Sequence, residues 1–464
     1  LGHYERFMNK NLYRHNYFTM GQVYAEVLQK ERALEYQGKC VEGHVHIPEE
    51  IIRRIHEAAK KDKCEVMIVE VGGTVGEYQN MMFFESIRRL HQEHPKDVAL
   101  MHVVYLPIPP FLGEMKSKPA QASIYELYRL GLQPDFVVCR GQLEIDEKRK
   151  STLAFNTGVS KDHIFNDADV DSIYRTPVIF KLQQMEIKVL KRFGLKPKKK
   201  DLVEWKKMLA NIDSAKKEVK IAIMGKYFTS GNFKLEDSYV CVIEAIKHAS
   251  WSLGKKPIIQ WFDVENFKET ELAKYDGIVV PQGWGSRGVE GKIKAVQFAR
   301  EHKVPYLGLC FGMQMAVIEY ARNVAKLTGA NSAEVNPKTK FPVIHIMEDQ
   351  KEYLAKNQYG GTIRLGAWPC AIKPGTILAK AYGKTQVSER HRHRYEFNND
   401  YKQILERKGL VISGTSPDGH LVEAVELPKD VHPFFVGTQF HPEYKSRPLS
   451  PHPIFIEFIR ACLK

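Results

Sequence analysis

The chain contains no apolar run approaching the ~20 residues that a membrane-spanning helix needs, and no C-x-x-C pair. Its seven cysteines, at positions 40, 64, 139, 241, 310, 370 and 462, are scattered and odd in number. That pattern argues against a disulfide framework or a zinc site and for a reducing compartment. Zinc-finger and RNP-like signatures are also missing, as is any internal repeat. Acidic residues are the minority: 69 Lys and Arg against 55 Asp and Glu leave a formal charge of +14. Such an excess suits anionic partners, either nucleic acid or nucleoside triphosphates, and equally suits a solvated basic surface. Basic residues are dispersed apart from Lys196 to Lys200 and the run Arg390-His391-Arg392-His393-Arg394.

What is present is length and alternation. At 464 residues the chain can form two domains, each with a substantial core. Gly194, Pro197 and three consecutive lysines mark a linker over 193–217, with a short amphipathic helix from Asp201 to Asn211. Before it, 66–71, 102–106 and 136–139 read as buried strands, and 48–60, 83–94 and 123–130 as helices. After it, strands are expected at 219–224, 257–262, 277–280 and 304–309, with helices at 238–253 and 292–302. Both halves are therefore expected to be α/β domains with largely parallel sheets, 1–192 and 218–464, binding ligands at the carboxyl ends of strands.

The most informative residues are Gly308-Leu309-Cys310-Phe311-Gly312, between an apolar strand and a helix running from Met313 to Asn323. A nucleophile at a sharp strand-to-helix turn needs small neighbours, and the helix N-terminus favours a thiolate and offers N–H groups to an oxyanion. Downstream, Gln439-Phe440-His441-Pro442-Glu443 supplies a base and a carboxylate to orient it. Together these resemble the triad of class I glutamine amidotransferases, with Cys310 as nucleophile, His441 as base and Glu443 as its orienter. The glycine-rich loop Val280-Pro281-Gln282-Gly283-Trp284-Gly285 offers N–H groups to the oxyanion. By motif match, Gly283, Phe311, Gly312, Met313, Gln314, Glu334 and Arg394 are the glutamine-binding residues. Glu334 suits the ammonium and Arg394 the carboxylate. The family usually has glycine at the Gln282 position, so a positive φ there would cost roughly 1 kcal/mol or more.

The first half carries a closer resemblance. Leu1-Gly2-His3-Tyr4-Glu5-Arg6-Phe7, Glu70-Val71-Gly72-Gly73-Thr74-Val75-Gly76, Lys116-Ser117-Lys118-Pro119-Ala120-Gln121 and Val170-Asp171-Ser172-Ile173-Tyr174 are similar to segments of CTP synthases. So are Gly288-Val289-Glu290-Gly291 and 389–396, all in family order. The resemblance implies a P-loop-type amidoligase domain joined to the amidotransferase. ATP phosphorylates O4 of UTP, and ammonia from glutamine, carried between the domains, displaces the phosphate to give CTP. It implies Mg²⁺ held by Glu70, and UTP or CTP contacts by Glu77, Tyr78, Gln79, Lys116, Ser117, Lys118, Pro119, Ala120, Gln121 and Thr152. ATP contacts fall at Ala168, Asp169 and Val170. GTP activation of the glutaminase step, with 284–291 as a lid, a homotetramer and a cytoplasmic location are further implications. Membrane and nucleic-acid partners are not expected.

Three departures stand out. Glu77-Tyr78-Gln79 replaces the usual Asp-Ile-Glu, so product feedback is expected to differ, and Thr152 replaces a lysine. CTP synthases begin with a glycine-rich phosphate loop and a magnesium-binding aspartate, whereas this sequence starts at Leu1. About 70 or more further residues are therefore expected in the natural protein; without them the chain is expected to hydrolyse glutamine yet not make CTP. The alternative is a degenerate relative that keeps the fold for assembly or regulation.

Overall fold

The computed structural model describes residues 1–197, 202–226, 229–230, 233–234, 236–347, 350–352 and 362–464; residues 198–201 of the expected linker fall outside them. Contacts divide the chain into two compact units, one of Leu12–Val203 with Leu1, the other of Gly2–Asn11 with Glu204–Lys464. Among the described residues no helix is long and apolar enough to cross a membrane.

In the first unit, strands Met101–Leu106, Phe136–Gly141 and Ile164–Ala168 pair in that order, all parallel. Helices Lys118–Arg129 and Glu147–Thr157 make the crossovers. Each lies on the sheet because its apolar residues recur on one face: Ala120, Ile124 and Leu153 are buried against Val104, Leu106, Val137, Cys139 and Ile164. Asp146 caps the second helix by accepting from Arg149 N at 2.8 Å, and Gly158 ends it with φ 68°. Helices Met20–Arg32 and Gly43–Asp62 form a separate cluster through Val23, Val27, Ile47 and Ile51.

One expected strand is not formed. Residues 66–71 are irregular, and Ile68 is 79 % exposed. A run of apolar residues makes a strand only where a neighbour offers its backbone groups. Among the described residues this sheet has three strands, Met101–Leu106 at one edge, and 66–71 pairs with none of them.

The second unit is built, among the described residues, on a nine-stranded sheet. Its order is Gln386–His393, Arg364–Ile372, Val411–Thr415, Val422–Glu426, Phe435–Thr438, Tyr306–Leu309, Gly277–Val280, Glu218–Gly225 and Lys256–Asp263. The last five are parallel to one another and the first five are joined by antiparallel pairings. The central parallel strands Gly277–Val280 and Tyr306–Leu309 are fully buried because helices cover both faces. Val289–Glu301 and Phe311–Asn323 pack into one core, and Val240–Ser252 and Pro453–Cys462 into the other.

Helix Gly2–Met8, expected within the first domain, packs in this second unit. Glu5 is only 2 % exposed and receives both Arg390 guanidinium nitrogens, with Arg447 at 3.3 Å. Phe7 stacks on Trp205 with ring centroids 5.7 Å apart. Glu5→Ala strands two guanidinium groups, one of them nearly buried. The expected loss is about 2 kcal/mol, tempered by the partial exposure of Arg390, read as a lowered urea midpoint of the second unit.

Candidate active site

Three neighbouring parallel strands place the chemistry. Gly277–Val280, Tyr306–Leu309 and Phe435–Thr438 run side by side, with Val280 opposite Gly308 and Thr438 opposite Leu309. The residues after each strand must therefore emerge at one sheet edge: Pro281–Gly283, Cys310, and Gln439–Glu443. Cys310 N donates to Thr438 O at 2.6 Å, tying the turn to the neighbouring strand.

The turn is strained as expected. Cys310 has φ 53° and ψ −99°, a conformation that costs a non-glycine residue about 1–3 kcal/mol. Its small neighbours are needed for closeness. A Cβ on Gly312 would lie 2.0 Å from Val280 O, and one on Gly308 would meet Gly312 and Met313 backbone atoms within 2.9 Å. The helix Phe311–Asn323 can therefore start directly above the strand ends, with Cys310 at its N-cap.

Cys310 Sγ accepts from Gln439 Nε2 at 3.4 Å and lies 3.9 Å from Arg392 O. His441 Nδ1 and Glu443 Oε1 are 2.7 Å apart, and both residues are buried. Tyr444 stacks on the imidazole at 4.8 Å and 13°, while His441 N donates to Arg390 O at 2.8 Å. Nε2 has no hydrogen-bond partner among the described residues. Burial opposes the imidazolium, but Glu443, Tyr444 and the Cys310 sulfur outweigh it and hold its pKa well above the ordinary value.

The glutamine-binding candidates divide by side chain. Phe311, Gly312, Met313 and Gln314 are buried; Met313 lies against Gly437, and Gln314 Nε2 donates to Tyr395 O and Gln439 Oε1. Their side chains build the core, so what this turn can offer a ligand is helix-terminal N–H groups. Glu334 Oε1 accepts from Gly285 N at 2.8 Å, and its burial raises its proton affinity. Arg394 is buried, donating to Gln350 Oε1 at 3.0 Å and Thr362 Oγ1 at 3.1 Å. The strain considered for Gln282 does not arise: positive φ in this loop falls on Gly285 and Gly288, both at 71°.

The sequence reading missed the buried groups around the triad. Lys292 Nζ donates to Pro281 O at 2.8 Å, and Lys226 Nζ reaches the Arg287 carbonyl at 3.1 Å and that of Trp284. Arg364 pairs with Glu423 at 2.7 Å; His391 Nδ1 is 3.0 Å from His393 Nε2. Burial drives the pKa of His391 far down and that of His393 to about 3, so both are neutral. A lysine or histidine inside a charged motif carries no pattern that marks it as buried; only the position of Lys292 just after Gly288-Val289-Glu290-Gly291 hinted at a role.

In the first unit, several nucleotide candidates gather beyond the carboxyl ends of the strands. Arg149 donates to Met115 O at 2.8 Å and pairs with Glu114 at 2.6 Å; Asn156 donates to Gln121 Oε1 at 3.1 Å. These bonds bring 114–121, with Lys116, Ser117, Lys118, Pro119 and Gln121, beside the helix bearing Thr152. Ala120 is buried in the core, and Thr152 Oγ1 donates back to Lys148 O. Ala168 ends its strand, and Asp169, ahead of Val170, pairs with Arg140 at 2.7 Å. Glu77, Tyr78 and Gln79 make no hydrogen bond to this group: Glu77 accepts from Gln79 and Asn80, and Tyr78 is 96 % exposed. Glu70 falls in the exposed segment, not at the end of a sheet strand.

The raised pKa of His441 makes a pH-dependent contribution to stability. A raised folded-state pKa stabilises most below about pH 6.5 and ceases to do so as pH climbs through the folded value. Glu443→Gln is expected to cost about 2–3 kcal/mol at pH 7, with a difference from the parent chain in urea denaturation that shrinks as pH is raised.

Residues 1–195 match the family described as CTP synthase N-terminus, and residues 234–461 match glutamine amidotransferase class-I. A CTP synthase of Caldanaerobacter subterraneus is 46% identical over 468 residues, covering 100% of this chain and 85% of that protein. One of Sulfolobus acidocaldarius is 44% identical over 464 residues, covering 99% and 86%. Among solved structures, the glutaminase domain of Trypanosoma brucei CTPS with bound acivicin is 37% identical, covering 53% of this chain and 94% of its own, with a TM-score of 0.48. With both domains matched and relatives aligned along its whole length, the chain belongs to the CTP synthase family, glutamine-using carbon–nitrogen ligases.

Proposed function

We propose that the Cys310–His441–Glu443 group releases ammonia from glutamine and that residues 116–121 hold the UTP that receives it. The observation that carries this reading is the buried His441–Glu443 pair at 2.7 Å, emerging beside a strained Cys310 on the adjoining strand. The Cys310 thiolate attacks the side-chain carbonyl carbon of glutamine. Gly283 N–H and the first N–H groups of the helix stabilise the oxyanion. The intermediate collapses to a thioester as His441 gives its proton to the departing ammonia. Water, deprotonated by His441, then hydrolyses the thioester to glutamate and restores the thiol.

Glu334 and Arg394 receive the ammonium and carboxylate of glutamine; their present bonds to Gly285, Gln350 and Thr362 pre-orient them. In the first unit, ATP near Ala168–Val170 phosphorylates O4 of UTP, and ammonia displaces that phosphate. Lys116 and Lys118 bind the UTP triphosphate, with Thr152 and the Glu77–Gln79 turn as further contacts. Mg²⁺ belongs at Glu70. The described residues contain no group of three or more acidic, histidine or cysteine side chains able to hold a metal. A lone carboxylate completed by nucleotide phosphates and water is the usual protein share for this ion. When bound there it neutralises phosphate charge. GTP activation, assembly as a homotetramer and a cytoplasmic location complete the proposal.

Glutamate release from glutamine in the presence of GTP tests the thiol. Cys310→Ala is expected to lower it by at least ~10⁴-fold; release persisting in that variant would sink the assignment. On the other unit, Lys116→Ala is expected to weaken UTP binding about tenfold by calorimetry, leaving glutamine binding unaltered.

A further inference from the structure

Lys292, on the helix Val289–Glu301, is 0 % exposed, yet forms no ion pair among the described residues. Its Nζ donates to Pro281 O at 2.8 Å and stands 5.3 Å from the centroid of the Phe311 ring. Lys226 Nζ is also 5.3 Å from that centroid, so two ammonium groups share the ring of the residue that follows Cys310. A buried cation with no anion is costly, and one carbonyl and a ring face are modest compensation. The arrangement makes sense if a counter-charge forms nearby as part of the chemistry.

Phe311 directly follows Cys310, whose sulfur can carry the counter-charge. The charged groups acting on Lys292 are Cys310 and Lys226, and Lys226 is in turn influenced by Glu334, Arg287 and Glu265. Burial and Lys226 drive the Lys292 pKa down to about 7, while the Cys310 sulfur supports its charge. Lys292 also touches the oxyanion loop: a Cβ on Gly283 would lie 3.3 Å from its Nζ.

We propose that Lys292 is a positioning residue of glutamine hydrolysis, pinning the Pro281–Gly283 turn by its carbonyl and supplying the positive charge that stabilises the Cys310 thiolate and the oxyanion that its attack creates on the substrate carbonyl. This rests on Cys310 as the nucleophile.

The test uses the full chain with Lys292→Met, which keeps bulk and removes charge, and Lys292→Gln, which can still donate to Pro281 O. Cys310→Ala is the control. Lys292→Met should lower kcat for glutamate release about tenfold, with KM changed less than about twofold, because charge that matters in the transition state acts on kcat. The pH midpoint for iodoacetamide alkylation of Cys310, followed by peptide mass spectrometry, should move up by about one unit. Lys292→Gln should show the same shift, separating charge from hydrogen bond. The thermal midpoint of Lys292→Met should not fall, since an unpaired buried charge is removed.

An unchanged kcat and alkylation midpoint in Lys292→Met, or losses that merely track a lowered thermal midpoint, would overturn the proposal. Glutamate release surviving in Cys310→Ala would instead strike at the nucleophile assignment itself. The two failures are thus distinguishable.

Discussion

The parallel pairing of Phe435–Thr438, Tyr306–Leu309 and Gly277–Val280 is the constraint on which the active site depends. A parallel sheet puts the ends of adjacent strands on one side, so three segments distant in sequence are delivered together without a long-range search by their side chains. Tyr306 reinforces the register: it stacks on Phe435 at 4.6 Å, and its hydroxyl donates to Gly312 O at 2.9 Å. The same residue thus fixes strand to strand and strand to the helix that begins after Cys310. Backbone strain at Cys310 is tolerable because both flanks are held, by Thr438 on one side and the packed helix on the other.

Around that frame the electrostatics are arranged in opposed pairs. Neighbours of His441 raise its proton affinity, whereas His391 and His393, both on the strand Gln386–His393, are stripped of their protons by burial. Histidines in one locality are thereby pushed in opposite directions. Arg364 and Glu423 occupy the same region as a closed ion pair, and Glu423 O accepts from Gln439 N at 2.8 Å. The segment carrying Gln439 and His441 is thus gripped through its backbone from both Glu423 and Arg390, leaving the imidazole to face the thiol.

Cys310, His441 and Glu443 could be picked out in the sequence because each sits in a local pattern: glycines around a cysteine at a strand end, and a histidine two residues before a glutamate. The alternation of strands and helices was equally clear wherever apolar runs were paired. It misled at 66–71, since a buried-strand pattern says nothing about whether a partner strand is at hand. The affiliation of Gly2–Asn11 was invisible for a related reason. Its motif resembles the first half of the family, but what decides packing is the match of Glu5 to Arg390 and Arg447, residues from the far end of the chain. Lys292 and the His391–His393 pair escaped notice because burial of a charged side chain is a three-dimensional fact with no periodic trace.

The docking of helix Gly2–Met8 means that beyond Leu1 the chain crosses between units near residues 11–12 and again near 203–204. The border between the two halves in the sequence is therefore not a border in the folded molecule. A cut in the 193–203 stretch would leave the halves held together, by a covalent thread at one crossing and by the anchored helix beyond it. An expression boundary drawn at residue 204 would deprive the glutaminase half of a piece of its own structure. Modularity by sequence and modularity by fold part company here by a single helical turn or two.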